Sequence, residues 1–456
     1  MVVKPPREPH HIEVSGCVCA RLGPVKPREK EAPAYMSGQE SATAKAAVRV
    51  GAAIRDEFPS LARMQDGRPV VYLDGPGGSQ VPRSVIEAVS GYYEQSNANT
   101  HGAFATSVES DAVVSGAREA MGDFLHAGPG ATLSFGANMT TLNFALAHAL
   151  ARGLKAGDEV VVTELDHDGN VAPWLMLAER GAVIRWAPLA ANQTELDMDA
   201  LLALIGPRTR IVAMGLASNA LGTITDPAPV RARTREVGAT LVFDAVHYAP
   251  HRVVEAERMG PDFLLCSAYK FFGPHVGVLY GAPGALDALA TDRVRPQQPR
   301  GPSRIETGTL NHAALAGVRA AVDAVAGWAP AGGSRPERLR LAMTGADAYE
   351  ARLFERLWEG LSGLTGVVLY GRVPGTGPRT PTVGFSVEGI HADDVAAGLA
   401  RRGIFAWSGD FYAVTVVDRL DLRRQGGLVR LGLAPYNTED EMDRTVAAVR
   451  EIIRER

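Results

Sequence analysis

Between residues 110 and 290, short apolar runs rich in β-branched residues alternate with segments whose apolar positions recur every three to four residues. In chain order these are TLSF, LNFALAHALARGL, EVVVTEL, PWLMLAERG, VIRWAPL, MDALLALI, RIVAMGLAS, PAPVRARTREVG and TLVFDAV. The alternation of periods predicts βαβ units, and hence an α/β fold with a mostly parallel sheet flanked by helices on both faces. Upstream, VRVGAAIRDEF predicts an amphipathic helix from about residue 48, and VVYLDGPGG a strand that ends in a glycine-rich turn. WAPAGGSRPER, near residues 328–338, breaks the pattern, and the helical segment ADAYEARLFERLWEGLSGL follows. The strands TVGFSV and LVRLGL, with helices DDVAAGLARRG and EDEMDRTVAAVREIIRER, predict a smaller α+β C-terminal domain. The expected organisation is a disordered tail over 1–47, a large domain over 48–327 whose N-terminal segment contacts the small domain, and that small domain over 328–456.

Composition narrows the function classes. Of 456 residues, 46% are hydrophobic and 21% charged, with a formal net charge of -4. That balance fits a folded enzyme and gives no clustered positive field for nucleic acid or an anionic membrane. No run approaches the roughly 18 apolar residues of a membrane helix, and MVVKPPREPHHIEV lacks the apolar core of a signal peptide. Met36 is an alternative start within the polar, proline-rich tail. Cys17, Cys19 and Cys266 are too few for a disulfide framework, so a reducing, cytoplasmic setting is expected.

Lys270, in SAYKFFGPHVGVLYG, follows the apolar run DFLL and so sits in a turn just after a strand. Most lysines are solvated surface groups, and alone this one reads the same way. Asp244 changes that reading, because TLVFDAVHYAPH puts a carboxylate at the carboxyl end of an expected central strand, where ligands of such sheets bind. A carboxylate there needs a cation or donor partner, and the protonated pyridine of pyridoxal 5'-phosphate (PLP) is one, while Lys270 would hold the cofactor aldehyde as a Schiff base. A helix cap or arginine partner is the plainer role for Asp244. His247 is positioned to donate to the ring's C3 oxygen or to be structural, and His167, past the strand EVVVTEL, to stack on the ring. Its neighbours Asp166 and Asp168 read as loop polar groups, and Trp174 as core. FGANMTTLNFALAHAL runs from strand into helix, so backbone N–H groups at Asn138, Met139 and Thr140 suit a phosphate or merely an ordinary cap, with hydroxyls of Ser267 and Tyr269 nearby. Arg430, in GLVRLGLAPYNTEDE, is the candidate guanidinium for a substrate carboxylate, with Asn219 of ASNALGT sharing it.

From about residue 55 to the end, LDGPGGSQVP, FGANMTTLNFALA, DHDGNVAPWL, SNALGT, FDAVHYAPH, CSAYKFFGPH, ETGTLNHAAL and YNTEDE occur in an order that resembles fold-type I PLP enzymes of the class V aminotransferase group, in the cysteine desulfurase-like branch. The resemblance implies PLP on Lys270, Asp244 at the pyridine nitrogen, His167 stacking, and His247 in a place usually held by Gln or His. It further implies Asn138, Met139, Ser267 and Tyr269 near the phosphate, and Arg430 with Asn219 on the substrate carboxylate. Thr309 matches a residue that reaches the neighbouring subunit's site, which implies a homodimer.

One stretch departs from that pattern. Where the family's desulfurases carry a mobile cysteine, this chain reads FAWSGDFYAV, with Tyr412 in the thiol's place and no cysteine after Cys266. A phenol does not form a persulfide, so a thiol route would need Cys17 or Cys19. Tyr412 and Asp410 are candidates for acid–base work or for narrowing the pocket. The expected activity is PLP-dependent chemistry on an α-amino acid, beginning with loss of the Cα proton and ending in desulfurase-like elimination. Transamination or epimerisation is the alternative, and a non-catalytic scaffold is a third reading, against which the retained lysine, aspartate and arginine speak.

Overall fold

The computed structural model describes residues 48–455. The central sheet contains β1 (Thr132–Gly136), β2 (Glu159–Thr163), β3 (Val183–Ala187), β4 (Thr209–Gly215), β5 (Thr240–Asp244), β6 (Phe263–Ser267) and β7 (Gly277–Gly281). Their spatial order is β1-β7-β6-β5-β4-β2-β3. The run from β3 through β6 is parallel throughout, and β7 is antiparallel to both its neighbours. The expected α/β fold is therefore the one formed.

Both faces of this sheet are buried, which explains why its strands read as unbroken apolar runs rather than alternating ones. In β5, Leu241 and Phe243 enter one hydrophobic cluster and Val242 the other. The same period of two separates Val161 from Val160 and Val162 in β2. Leu315, Val318 and Val322 of the helix His312–Ala326 cover the first face, and Leu142 and Leu146 of Met139–Ala151 the second. Trp174 is a core residue of that second face.

A second sheet contains β8 (Val367–Tyr370), β9 (Thr382–Val387), β10 (Trp407–Gly409) and β11 (Leu428–Gly432), in the antiparallel order β8-β9-β11-β10. Val383, Phe385, Val429 and Leu431 form its core with Leu353, Leu357, Val395 and Val449 of the covering helices. Val71 and Leu73 belong to the same core, and Val71–Tyr72 pairs in parallel with Ile404–Phe405.

Two helices depart from the sequence reading. The expected helix near 48–58 is only Ala52–Arg55. Gly51 adopts φ +58 and donates to the carbonyl of Pro435, while Arg49 donates to that of Trp328, so these amides are tied to distant segments and not to a helical ladder. Conversely, the break near 328–338 contains a helix start. Ser334 and Glu337 form a capping box with Pro336 in the first turn, and the helix runs over Arg335–Ser362. Leu339 and Met343 pack into the first core, and Leu353 and Leu361 into the second. No helix among the described residues is long and apolar enough to cross a membrane. The expected tail over 1–47, with Cys17, Cys19 and Met36, lies outside the described residues.

Candidate active site

The carboxyl ends of β1, β2, β4, β5 and β6 converge on one edge of the sheet, where a cavity of about 440 Å³ opens. Such crevices at strand ends are where ligands of parallel sheets bind. Asn138, Met139, His167, Asn219, Asp244, His247, Ser267, Tyr269, Lys270, Tyr412 and Arg430 all line it. Thr309 does not: in a single chain it is exposed and outside the cavity. The edge is close-packed. A side chain at Gly277 would collide with the backbone of Asn138, and one at Gly215 would meet Asp166 Oδ1 at 2.8 Å.

Lys270 ends a 3₁₀ turn after β6, and the next residue but one, Phe272, adopts φ +70. Phe272 N–H donates to Ser79 Oγ at 2.7 Å and its ring packs on Phe58 and Trp328, which fixes the turn. Lys270 Nζ donates to the carbonyl of Pro76 and lies 4.8 Å from the centre of the Tyr269 ring. Burial, with the Arg430 charge, lowers its pKa to about 7 against the opposing pull of Asp244 and Asp74. Asp244 Oδ1 accepts the Val246 N–H at 2.8 Å, and no other donor among the described residues reaches the carboxylate. Burial raises its pKa to about 7, a rise that Asp166 reinforces and that the Val246 bond and Lys270 oppose.

Asp166, read from the sequence as a loop group, is buried and accepts from Thr163 Oγ1 at 2.7 Å, Asn170 Nδ2 at 2.8 Å and Gly215 N at 2.9 Å. It is a hub that ties the ends of β2 and β4 together. The Gly169 N–H donates to His167 Nδ1 at 2.9 Å, which leaves the proton of the neutral ring on Nε2. Burial and then the charges of Lys270 and Arg430 hold His167 down to about 4, so the ring is flat and uncharged at neutral pH. Tyr412 lies 5.2 Å from it, centre to centre, at 30°. The tyrosine is 68% exposed, and its phenol makes no hydrogen bond among the described residues.

His247 Nε2 lies 3.0 Å from Thr380 Oγ1, which is also 3.3 Å from the carbonyl of Gly222. The direction of the bond between the two follows from the His247 tautomer. Burial, His251, Arg430 and Lys270 together hold this imidazole well below its ordinary range. Behind it, edge-on at 5.5 Å, stands His251, whose Nδ1 is 3.0 Å from the buried Glu350 carboxylate.

Arg430, in the middle of β11, is buried, and burial lowers its pKa to about 9 against Asp74. Its Nη1 donates to the carbonyl of Asn219 at 3.1 Å, while Nε has no partner among the described residues. Asn219 Oδ1 and Asp74 Oδ1 are likewise buried without partners among the described residues. At the opposite end, Met139 N–H donates to Ser267 Oγ at 3.1 Å, and Asn138 Oδ1 caps Thr141 N at 2.9 Å. The sequence reading missed Asp74, Asp166, Thr380, Trp407 and Phe411. Asp74 and Asp166 sit in LDGPGG and LDHDGN, where an aspartate after an apolar strand was a usable signal, whereas nothing local marks Thr380 or Phe411.

Residues 71–445 match the family described as Aminotransferase class-V. The chain belongs to that family. Class-V aminotransferases and their desulfurase-like branch are PLP-dependent enzymes of fold-type I. An uncharacterized protein of Mycobacterium tuberculosis is 35% identical over 87% of this chain and 98% of its own. A probable cysteine desulfurase of Synechocystis is 31% identical over 89% and 96%. Among solved structures, a cysteine desulfurase of Thermococcus onnurineus superimposes with a TM-score of 0.79 at 27% identity, over 90% of this chain and all 100% of its own. A cysteine desulfurase of Escherichia coli gives 0.76 at 28%, over 88% and 98%. Against those named relatives, this class-V member has Cys266 as its one cysteine among the described residues, fully buried on β6, with burial pushing the thiol pKa upward.

Proposed function

We propose that this chain binds PLP in the strand-end cavity and catalyses elimination at the side chain of an α-amino acid without a persulfide-forming cysteine. The observation that carries this reading is the pair Lys270 and Asp244. An amine and a carboxylate are buried on one cavity, each displaced to about 7, and the carboxylate has a single backbone donor. A buried carboxylate of that kind calls for a cationic N–H, and the pyridinium nitrogen supplies one. The residues present therefore fit the cofactor, with Lys270 as attachment amine and His167 as the flat neutral ring against its face. Asn138, Met139, Ser267 and Tyr269 line the phosphate end, with Thr309 joining from a second copy of the chain in a homodimer.

When bound, PLP supplies an electron sink for charge left at the substrate Cα. The protein's own groups do the rest. Arg430 orients the amino acid through its carboxylate. Lys270, held near neutrality, is suited both to take the Cα proton and to return one. His247, a neutral ring held beside Thr380, is the group expected to donate to the ring's C3 oxygen. Tyr412 closes the mouth beside His167 and needs no ionisation to do so.

The test is reconstitution with PLP, followed by a panel of amino acids that includes L-cysteine, assayed for sulfide, pyruvate and ammonia. Release of these products, abolished in Lys270→Ala, is expected. Transfer of the amino group to the cofactor, or inversion at Cα without those products, would replace elimination by transamination or epimerisation. A Lys270→Ala chain that keeps the visible absorbance of attached cofactor would sink the cofactor assignment.

A further inference from the structure

Arg430 has no carboxylate within ion-pair distance among the described residues, although it is only 5% exposed. A buried guanidinium in that state must have its N–H groups accounted for one by one. Nη1 bonds to the carbonyl of Asn219 at 3.1 Å, Nε has no partner, and Nη2 makes no hydrogen bond among the described residues. The face of the group is not free either, since the ring of Phe411 covers it, 4.1 Å from Cζ to the ring centre. An aromatic face attracts the cation but takes none of the N–H bonds that lie in the guanidinium plane. What remains is the Nε and Nη2 edge, whose two parallel N–H bonds match the spacing of a carboxylate.

The backbone that carries Phe411 is held for this purpose from both sides. Phe411 and Tyr412 adopt φ +55 and +60, a left-handed pair that L side chains rarely form in succession. Asn219 Nδ2 donates to the Phe411 carbonyl at 2.8 Å, Asp168 N–H to the Tyr412 carbonyl at 2.7 Å, and Tyr412 N–H to Asp410 Oδ1 at 2.9 Å. Asn219 thus fixes the guanidinium through its main chain and the covering ring through its side chain. Its Nδ2 keeps a second N–H for a substrate carboxylate, while Oδ1 has no partner among the described residues.

We propose that Phe411 is the positioning residue of the substrate clamp: it holds the Arg430 guanidinium in one plane so that the Nε and Nη2 edge selects a free α-carboxylate over a neutral carboxamide or ester. This rests on the reading of Arg430 as the carboxylate clamp, and goes beyond it in naming the residue that orients the fork and the chemical class that the fork admits.

The test uses the PLP-loaded protein with L-alanine and L-alaninamide as probes, their dissociation constants being measured by calorimetry. Phe411→Leu keeps an apolar side chain at a partly exposed position and removes only the aromatic face. It is expected to weaken alanine about ten-fold with alaninamide changed less than about two-fold, so that the preference narrows. Phe411→Tyr and Phe411→Trp, which keep a ring, are expected to preserve the preference. If Phe411→Leu leaves the preference intact while Arg430→Gln removes it, the clamp stands and the positioning role falls. If Arg430→Gln itself leaves the preference intact, the clamp is misassigned and the proposal falls with it.

Discussion

The ammonium of Lys270 donates to the carbonyl of Pro76, in the glycine-rich turn that follows Asp74, and finds no carboxylate at ion-pair distance among the described residues. In the cofactor-free protein this has a measurable consequence. Its pKa falls from 10.5 to about 7 on folding, so between those values the unfolded chain binds more protons than the folded one. Stability from this group therefore rises with pH across that window, by at most about 1.4 kcal/mol per pH unit. Urea unfolding of the apoprotein at the two ends of the window is expected to show this slope in the wild type and to lack it in Lys270→Met. Attachment of the cofactor aldehyde, which needs the neutral amine, is expected to accelerate through about pH 7. Identical pH profiles for the two proteins would contradict the buried-lysine account.

Asp244 carries the opposite sign. Its folded pKa is raised from 3.8 to about 7, so the folded state binds the extra proton and stability falls as pH rises between those values. Asp244→Asn is expected to stabilise the apoprotein by about 2 kcal/mol above the window, where the wild type holds a buried carboxylate with one donor. In the cofactor-loaded enzyme the same change removes the pyridinium partner, and turnover is expected to fall at least about 100-fold. Thermal melts of both forms, with and without PLP, separate the two effects.

Tyr412 stands beside His167 but is mostly in solvent, and its phenol makes no hydrogen bond among the described residues. Tyr412→Phe is expected to leave kcat within about two-fold, and a loss of about 100-fold would restore it to the acid–base set. Because its φ is +60, Tyr412→Gly is expected to raise the unfolding free energy by about 1 kcal/mol. Denaturant titration measures that directly.

The thiol question is settled by substitution. Cys266 is fully buried on β6, so Cys266→Ala is expected to cost about 1 kcal/mol of stability and to leave product release unchanged. The Cys17→Ser, Cys19→Ser double variant is expected to release product at the wild-type rate. A variant that stops sulfide formation without affecting PLP binding would identify the thiol carrier.

Much of this molecule is written locally. A five-residue strand ending in Asp244, apolar over Leu241, Val242 and Phe243 and buried on both faces, is announced as a central strand with its ligand-binding end by the local sequence. Lys270 is legible for the same reason, being the residue just past a strand end. Helix starts were less legible, because Gly51 and the Gly-Gly-Ser-Arg-Pro run carry both turn and cap signals, and only distant partners such as Pro435 decide between them. The sequence by itself determined the alternation of elements, the strand-end carboxylate and the lysine. The tertiary structure alone decided that Asp166 is a buried hub, that Thr380 is the hydrogen-bond partner of His247, and that Phe411 covers Arg430. The physical reason is separation: Asn219 and Phe411 are 192 positions apart, and a contact of that kind leaves no period in either segment. Local chemistry chooses the element, while packing chooses which elements meet.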